Sequence, residues 1–285
     1  MSKKNDAVAK TPRQQKGMIG PELSFAAAEA YKLLRTNLNF ALADKKCQII
    51  GVTSSVRGEG KSTTSVNLAY TFAESGKNVL LIDADMRLPS VAVKLGMVGT
   101  PGLSNLMAGL SGENDCVRPS KLFRNWYVLP AGDIPPNPSE LLGSERMRSL
   151  LERYADVFDV IIIDLPPVGI VTDALAISPW TDGLIVVVRE NFTARRELNS
   201  CMYQVHKLNA KILGFVMTDT AVGGSTYKHY GKSYGYGYGY GYGYGYGYAD
   251  SRSGGKNEKA FRAATAEEST PLSNDDPADG QEKSE

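Results

Sequence analysis

The stretch SSVRGEGKSTT at residues 54–64 follows an apolar run, IIGVT at residues 49–53, and leads into a helical pattern at Ser62–Ser75. It matches the phosphate-binding loop (P-loop) pattern GxxxxGK(S/T), except that Ser55 occupies the first glycine position. Glycines let the backbone wrap closely around a phosphate, and the N–H groups at the start of a helix supply partial positive charge. An ordinary glycine-rich turn is the alternative, but such a turn needs no Lys-Ser pair at this spacing. The stretch therefore predicts a nucleotide-binding loop between a strand and a helix.

The residues at the end of this loop have separate tasks in binding a nucleotide. Lys61 is expected to reach the β- and γ-phosphates of ATP, and Ser62 is expected to ligate Mg²⁺. The predicted nucleotide-binding residues are Gly58, Glu59, Gly60, Lys61, Ser62 and Thr63.

Acidic residues end two further apolar runs. Asp83 and Asp85 lie in VLLIDADMRLP at residues 79–89, and Asp164 lies in VIIIDLPP at residues 160–167. Because ligands of parallel-sheet folds bind at the carboxyl edge of the strands, these acids are expected beside the P-loop. There, carboxylates can hold Mg²⁺, and one of them can orient or deprotonate an attacking hydroxyl. Each run taken alone could instead mark a solvated strand end.

Together the loop and the acids predict a phosphoryl-transfer site. The candidate residues for this site are Lys61, Ser62, Asp83, Asp85 and Asp164. The sequence leaves open whether Asp83 or Asp85 acts on the hydroxyl. It also leaves two roles open for Arg87, which could steady a phosphate or pair with a nearby acid.

Short apolar runs separated by amphipathic helical patterns predict the fold. The runs are IIGVTS, VLLID, WYVLPA, VIIID, GLIVVV and ILGFVMT. Runs that are apolar throughout are typical of strands buried on both faces, so we expect a P-loop NTPase of the α/β class with a doubly wound, mostly parallel sheet and helices on both faces. An additional helix is expected from Ser24 to about Ala43, with an apolar stripe that comprises Phe25, Ala28, Leu33, Leu34 and Leu38.

Composition changes divide the chain into four predicted regions. Residues 1–20 are expected to form a disordered basic N-terminus, and residues 21–220 the folded ATP-binding domain. Residues 221–249 form a tyrosine- and glycine-rich tail, and residues 250–285 an acidic tail that we expect to be disordered.

Bulk properties exclude several classes of function. The 285 residues carry a formal net charge of only +1, with no basic stripe, so no nucleic-acid partner is expected. The three cysteines are widely spaced, as expected for reduced thiols rather than a metal site. No apolar run approaches the ~20 residues of a membrane helix, and no secretory signal is recognisable, so we expect a cytoplasmic protein.

With these motifs in place, the sequence resembles the bacterial tyrosine autokinases of capsule and exopolysaccharide synthesis (BY-kinases) from Ser24 to Tyr248. The resemblance rests on the P-loop, the acid-acid-arginine strand end at residues 83–87, the stretch at residues 161–166, GDIPPNPSELL at residues 132–142 and the tyrosine-rich C-terminus. ParA/MinD partitioning ATPases have a similar fold, but they carry a lysine where Val56 stands. The sequence departs from the kinase pattern at Arg57, where proline is common, and at Thr218, where asparagine is frequent near the nucleobase.

The resemblance implies an ATP- and Mg²⁺-dependent protein-tyrosine kinase of the type without its own membrane domain. It implies that the catalytic residues are Lys61, Asp83, Asp85 and Asp164, and that the metal ligands are Ser62, Asp83 and Asp164. It implies autophosphorylation of the C-terminal tyrosines, at Tyr234, Tyr236, Tyr238, Tyr240, Tyr242, Tyr244, Tyr246 and Tyr248. It also implies regulation of polysaccharide synthesis and export, an activating transmembrane adaptor at the inner face of the membrane, and a phosphotyrosine phosphatase. A ring-shaped homo-oligomer would use Glu29, Lys32 and Arg35, although lysine replaces the arginine that the family often has at position 32.

Two other functions are compatible with a P-loop. A ParA/MinD-like ATPase switch would release free phosphate without labelling protein, and a nucleotide-gated scaffold would bind ATP with negligible chemistry. Neither alternative explains the tyrosine-rich tail.

Overall fold

The computed structural model describes residues 19–220. The predicted tyrosine acceptors and both predicted tails beyond this range therefore lie outside the described residues. The predicted ATP-binding domain, residues 21–220, lies entirely within the described range, whereas residues 1–18 of the predicted disordered N-terminus lie outside it.

The described residues form a seven-stranded sheet in the order β3-β4-β2-β5-β1-β6-β7. All neighbouring strands are parallel except β3 and β4, which are antiparallel. This topology confirms the predicted fold class. The strands are β1 (Gln48–Ser54), β2 (Val79–Asp83), β3 (Arg118–Pro119), β4 (Trp126–Leu129), β5 (Val160–Asp164), β6 (Gly183–Arg189) and β7 (Ile212–Thr218). The sequence patterns missed β3, because a two-residue edge strand that contains a proline has no apolar run to reveal it.

Helices cover both faces of the sheet. They are α1 (Phe25–Ala41), α2 (Lys61–Glu74), α3 (Val91–Lys94), α4 (Leu103–Ala108), α5 (Glu113–Cys116), α6 (Pro138–Leu142), α7 (Glu145–Ala155), α8 (Asp173–Ile177) and α9 (Arg195–Lys207), with short 3₁₀ turns at Gly20–Glu22 and Ser178–Trp180. Within residues 19–220, no helix has both the length and the apolar character needed to cross a bilayer.

Two apolar cores lie on opposite faces because successive strand residues point in opposite directions. In β2, Leu80 and Ile82 belong to the core that includes Leu150 of α7, while Leu81 belongs to the core that includes Phe72 of α2. All of these side chains are buried. The two layers fix the sheet between them and leave its carboxyl edge open for a site.

Helix α1 begins where the sequence predicts, because the Ser24 hydroxyl caps it by accepting a hydrogen bond from the Ala27 N–H at 3.3 Å. Its predicted apolar stripe is only partly correct. Leu38 is buried, but Phe25 and Leu33 are 83% and 62% exposed. Only one edge of α1 packs on the domain, which the helical spacing alone does not specify.

Candidate nucleotide and phosphoryl-transfer site

The P-loop and the predicted acids meet at the carboxyl edge of the sheet. The loop follows β1, and β1 is paired with β5, which is paired with β2. Asp83 and Asp164, the last residues of β2 and β5, are direct partners in the strand register. The strand order therefore brings together the two runs that the sequence identifies separately.

The P-loop backbone is arranged to receive an anion. Gly58 and Gly60 have φ angles of 85° and 95°, a left-handed conformation that favours glycine. Among residues 19–220, the backbone N–H groups of Arg57, Gly58, Glu59 and Gly60 find no hydrogen-bond acceptor. Donors clustered at the start of a helix fit phosphate oxygens.

Lys61 is held among the acids at this edge. Its Nζ lies 2.7 Å from Asp85 Oδ2 and 3.9 Å from Asp164 Oδ2, and it donates to Ser62 Oγ at 3.3 Å. Burial lowers the pKa of Lys61, but Asp164, Asp85 and Asp83 outweigh that effect and leave it above its usual value. Lys61 therefore stays cationic, as a phosphate ligand must.

Asp83 organises the segment that follows β2. Its Oδ1 accepts a hydrogen bond from the Asp85 N–H at 3.2 Å. Its Oδ2 accepts hydrogen bonds from the backbone N–H groups of Ser90 and Val91, at 3.1 and 3.0 Å. Burial, followed by the charge of Asp164, raises the pKa of Asp83 to about 7. A carboxyl group with this pKa can exchange a proton near neutral pH.

Asp164 presents a buried oxygen to the site. Its Oδ1 accepts a hydrogen bond from Ser65 Oγ at 3.1 Å, whereas its Oδ2 is buried and has no hydrogen-bond donor within the described residues. Burial raises the pKa of Asp164, and the opposing effects of Lys61, Ser62 and Ser65 offset this only in part. Together with the buried Ser62 hydroxyl, this oxygen fits a divalent cation. Within residues 19–220, no group of three or more His, Cys, Asp or Glu side chains is placed to hold a metal ion by itself.

Arg87 pairs with an acid that the sequence analysis did not identify. Its Nε and Nη2 donate to the Oδ2 and Oδ1 atoms of Asp173 at 2.8 and 3.0 Å. Asp173 is fully buried and also accepts a hydrogen bond from Ser139 Oγ. The structure therefore shows local pairing, the second of the two roles considered for Arg87. An acid at the start of the apolar run DALAI was the available signal for Asp173.

The Glu59 side chain points away from the predicted phosphate position. It is fully buried, its Oε2 accepts from the Val56 N–H at 2.7 Å, and its Oε1 accepts from the Thr193 hydroxyl. Only the backbone of Glu59 is thus available to a nucleotide. Its carbonyl accepts a hydrogen bond from Thr218 Oγ1 at 2.7 Å, at the end of β7.

A cavity of about 610 Å³ opens beside the P-loop. Thr63, Arg189 and Thr218 line it on one side, and residues of α1 line the other. Its volume is within the range typical of small-molecule sites. It could accommodate the part of a nucleotide that extends beyond the phosphates.

The predicted oligomerisation residues lie on α1, away from the acids. Lys32 Nζ contacts Glu29 Oε1 at 2.9 Å on the exposed surface. Arg35 Nη1 donates to the Thr71 carbonyl at 2.6 Å and so ties α1 to α2. Their role in assembly stays a prediction.

Comparisons with known proteins agree with this site. A family model described as an AAA domain matches residues 47–214. Tyrosine-protein kinase YwqD of Bacillus subtilis is 36% identical over 77% of this chain and 93% of its own length. Tyrosine-protein kinase CpsD of Streptococcus agalactiae is 35% identical over 73% of this chain and 89% of its own. The solved kinase domain of the Escherichia coli tyrosine kinase ETK superposes with a TM-score of 0.64 at 31% identity, over 74% of this chain and 80% of that domain.

The relatives are kinases, so the ATPase-switch and scaffold alternatives are not favoured. The residues matched by the family model include the P-loop and the three acids Asp83, Asp85 and Asp164. The chain belongs to the bacterial tyrosine autokinases of capsule and exopolysaccharide synthesis, the BY-kinases.

Proposed function

We propose that this kinase transfers the γ-phosphoryl group of Mg-ATP to tyrosines of its own C-terminal tail, Tyr234, Tyr236, Tyr238, Tyr240, Tyr242, Tyr244, Tyr246 and Tyr248. One observation carries the phosphoryl-transfer part of the proposal. Lys61, Asp85 and Asp164 are in contact at the carboxyl edge, directly beside a loop whose backbone N–H groups are free to bind phosphate.

The bound nucleotide would take its contacts from the P-loop. The N–H groups of residues 57–60 and the Lys61 ammonium would hold the phosphates, and the backbone of Thr63 would continue this surface into α2. Ser62 and Asp164, with Asp83 behind them, would hold Mg²⁺. The cation supplies charge neutralisation at the phosphate oxygens.

Transfer requires one bond to form and one to break. The tyrosine oxygen attacks the γ-phosphorus, the bond to the β–γ bridging oxygen breaks, and ADP leaves. The phenolic proton passes to the carboxylate of Asp83 or of Asp85. Asp83 has a pKa of about 7, which suits a base at neutral pH. Asp85 becomes available as a base when Lys61 breaks its ion pair with Asp85 and binds the phosphates instead. Because phosphoryl transfer mainly needs positioning and charge stabilisation, this set of groups is sufficient.

The amino-acid sequence of the tail is suited to accepting phosphoryl groups. Tyrosine alternates with glycine up to Tyr248, and glycine leaves little steric bulk around each hydroxyl. The chain between Met217 and Tyr236 can span up to roughly 60 Å when extended, enough to reach a neighbouring subunit. Each phosphate adds about −1.5 to −2 charges, so multiple phosphorylation would drive tails apart and loosen an oligomer.

The partners belong to the same proposal. A homo-oligomeric ring would use Glu29, Lys32 and Arg35. A transmembrane adaptor would activate the kinase at the inner face of the cell membrane, and a phosphotyrosine phosphatase would reverse its action, in the control of capsular or exopolysaccharide synthesis and export.

The test is incubation of the full chain with γ-labelled ATP and Mg²⁺, with and without the adaptor's cytoplasmic segment, followed by peptide mass spectrometry. Phosphate is expected on the 234–248 tract and should be absent from Lys61→Met. A tail in which phenylalanine replaces these tyrosines is the matched control, since Tyr203 stays available at 66% exposure. Free phosphate without tail labelling under both conditions, or equal labelling of the phenylalanine variant, would overturn the proposal.

A further inference from the structure

The P-loop is attached to the ends of two strands that do not carry the predicted catalytic acids. Thr193 follows β6, and its hydroxyl donates to Glu59 Oε1 while accepting a hydrogen bond from the Arg189 N–H at 3.0 Å. Thr218 at the end of β7 donates to the Glu59 carbonyl. We call Glu59, Arg189, Thr193 and Thr218 the P-loop clamp.

Glu59 is the centre of this clamp because both of its carboxyl oxygens act as acceptors inside the protein. One oxygen accepts a hydrogen bond from the Val56 N–H at the beginning of the loop, and the other accepts one from the Thr193 hydroxyl, in the connection between β6 and α9. The side chain is fully buried, so water does not replace a lost partner. A buried acceptor left without its donor is costly, and the loop that carries it would tend to move.

Residues 189–192 make further contacts with the P-loop. The Arg189 guanidinium donates to the Gly58 carbonyl at 3.3 Å, and it lies 5.0 Å from the centre of the Phe192 ring. A Cβ atom at Gly58 would lie 3.6 Å from that ring. The carbonyl and side-chain groups of residues 58–59 are thus engaged by the clamp, while their N–H groups stay free for phosphate.

We propose that Thr193 is a positioning residue for phosphoryl transfer: through Glu59, its hydroxyl holds the P-loop in the conformation that receives the nucleotide phosphates. It acts without touching the nucleotide. This inference rests on the nucleotide-binding part of the proposed function and does not depend on which tyrosines are modified.

The test compares two substitutions that remove a threonine hydroxyl at opposite ends of β6. Thr193→Val breaks the bond to Glu59. Thr181→Val is the matched control, because Thr181 is also half-buried and donates to a carbonyl, that of Ser178 at 2.9 Å, before β6 begins. Thr193→Ser restores the hydroxyl, and Thr193→Ala replaces Thr193→Val if the latter fails to fold.

Mg-ADP binding to the full chain is measured by titration calorimetry, and the melting temperature is measured without nucleotide. Thr193→Val is expected to raise the Kd about 10-fold or more, while Thr193→Ser and Thr181→Val stay within about threefold. Thr193→Val should also melt at a lower temperature than Thr181→Val, because only Thr193→Val leaves a fully buried carboxylate oxygen without its donor, so binding is measured well below both melting temperatures. Unchanged affinity in Thr193→Val, or equal losses in Thr181→Val, would overturn the inference. If the wild type itself bound no Mg-ADP, the proposed cofactor would fail together with it.

Discussion

Arg87 and Asp173 are 86 residues apart in sequence and form a two-pronged ion pair. The pair connects the segment after β2, which carries Asp85, to the start of α8. Through Asp173, it also reaches Ser139 in the GDIPPNPSELL stretch at residues 132–142. Two motifs of the BY-kinase resemblance are therefore parts of one structural unit around the site.

Replacing Arg87 by Met should destabilise the fold, because it leaves the buried Asp173 carboxylate with Ser139 as its remaining partner. Loss of one partner from a buried pair typically costs 3–5 kcal/mol. Since the Arg87 side chain is 38% exposed, we expect a smaller effect: the free energy of unfolding, measured by urea denaturation, should fall by about 1–3 kcal/mol. The double variant Arg87→Met/Asp173→Asn should recover part of this loss. Equal destabilisation of the single and double variants would show that the pair contributes no coupling.

The pKa of Asp83 predicts a specific dependence of stability on pH. Burial raises it from 3.8 in the unfolded chain to about 7 in the fold, so the folded protein binds the proton more tightly. The associated stabilisation is complete below pH ~4 and is lost as pH rises through ~7. In the Asp83→Asn variant this loss cannot occur. Its melting temperature relative to wild type should therefore be higher at pH 8 than at pH 5, and a constant difference would contradict the assignment.

Exposed residues of α1 give a test of assembly that is separate from folding. The Lys32–Glu29 contact is solvent-exposed, so the variant Glu29→Ala/Lys32→Ala should keep the wild-type melting temperature. If α1 mediates a ring, the same variant should elute as a smaller species in size-exclusion chromatography with light scattering. Lys46→Ala is a control for loss of an exposed ion pair, the one with Asp156, away from α1. An unchanged mass in the α1 variant would remove Glu29 and Lys32 from the interface.

The sheet and the site were predictable for the same physical reason. Strands buried on both faces leave uninterrupted apolar runs in the sequence, and their carboxyl ends meet at one edge, so Asp83 and Asp164 could be placed beside Lys61. The direct register of Asp83 with Asp164 required the strand order, which no single run contains.

Contacts made by loops between distant elements were not predictable. Thr193 and Asp173 follow different strands from the P-loop and the acid-acid-arginine segment, and neither belongs to a motif with fixed spacing. The inward direction of Glu59 was also missed, because the loop pattern specifies glycines and Lys-Ser but allows any residue at this position. The exposure of Phe25 and Leu33 depends on how much of α1 the domain covers, which helical spacing does not determine.

A glycine outside the P-loop should be as important as those within it. Gly169 lies in the turn after β5, where a Cβ atom would be 2.3 Å from the carbonyl oxygen of Ser55, the first position of the loop. Because the obstacle is backbone, Gly169→Ala must displace either the turn or the loop, at a cost of about 1–3 kcal/mol. We expect weaker Mg-ADP binding by calorimetry together with a lower melting temperature. Gly112→Ala is the matched control, since a Cβ there would meet only the Asp115 carboxylate, at an ordinary 3.6 Å. Wild-type affinity and stability in Gly169→Ala would mean that the turn can move away without disturbing the loop, and that close packing against Ser55 is not what holds the P-loop open to phosphate.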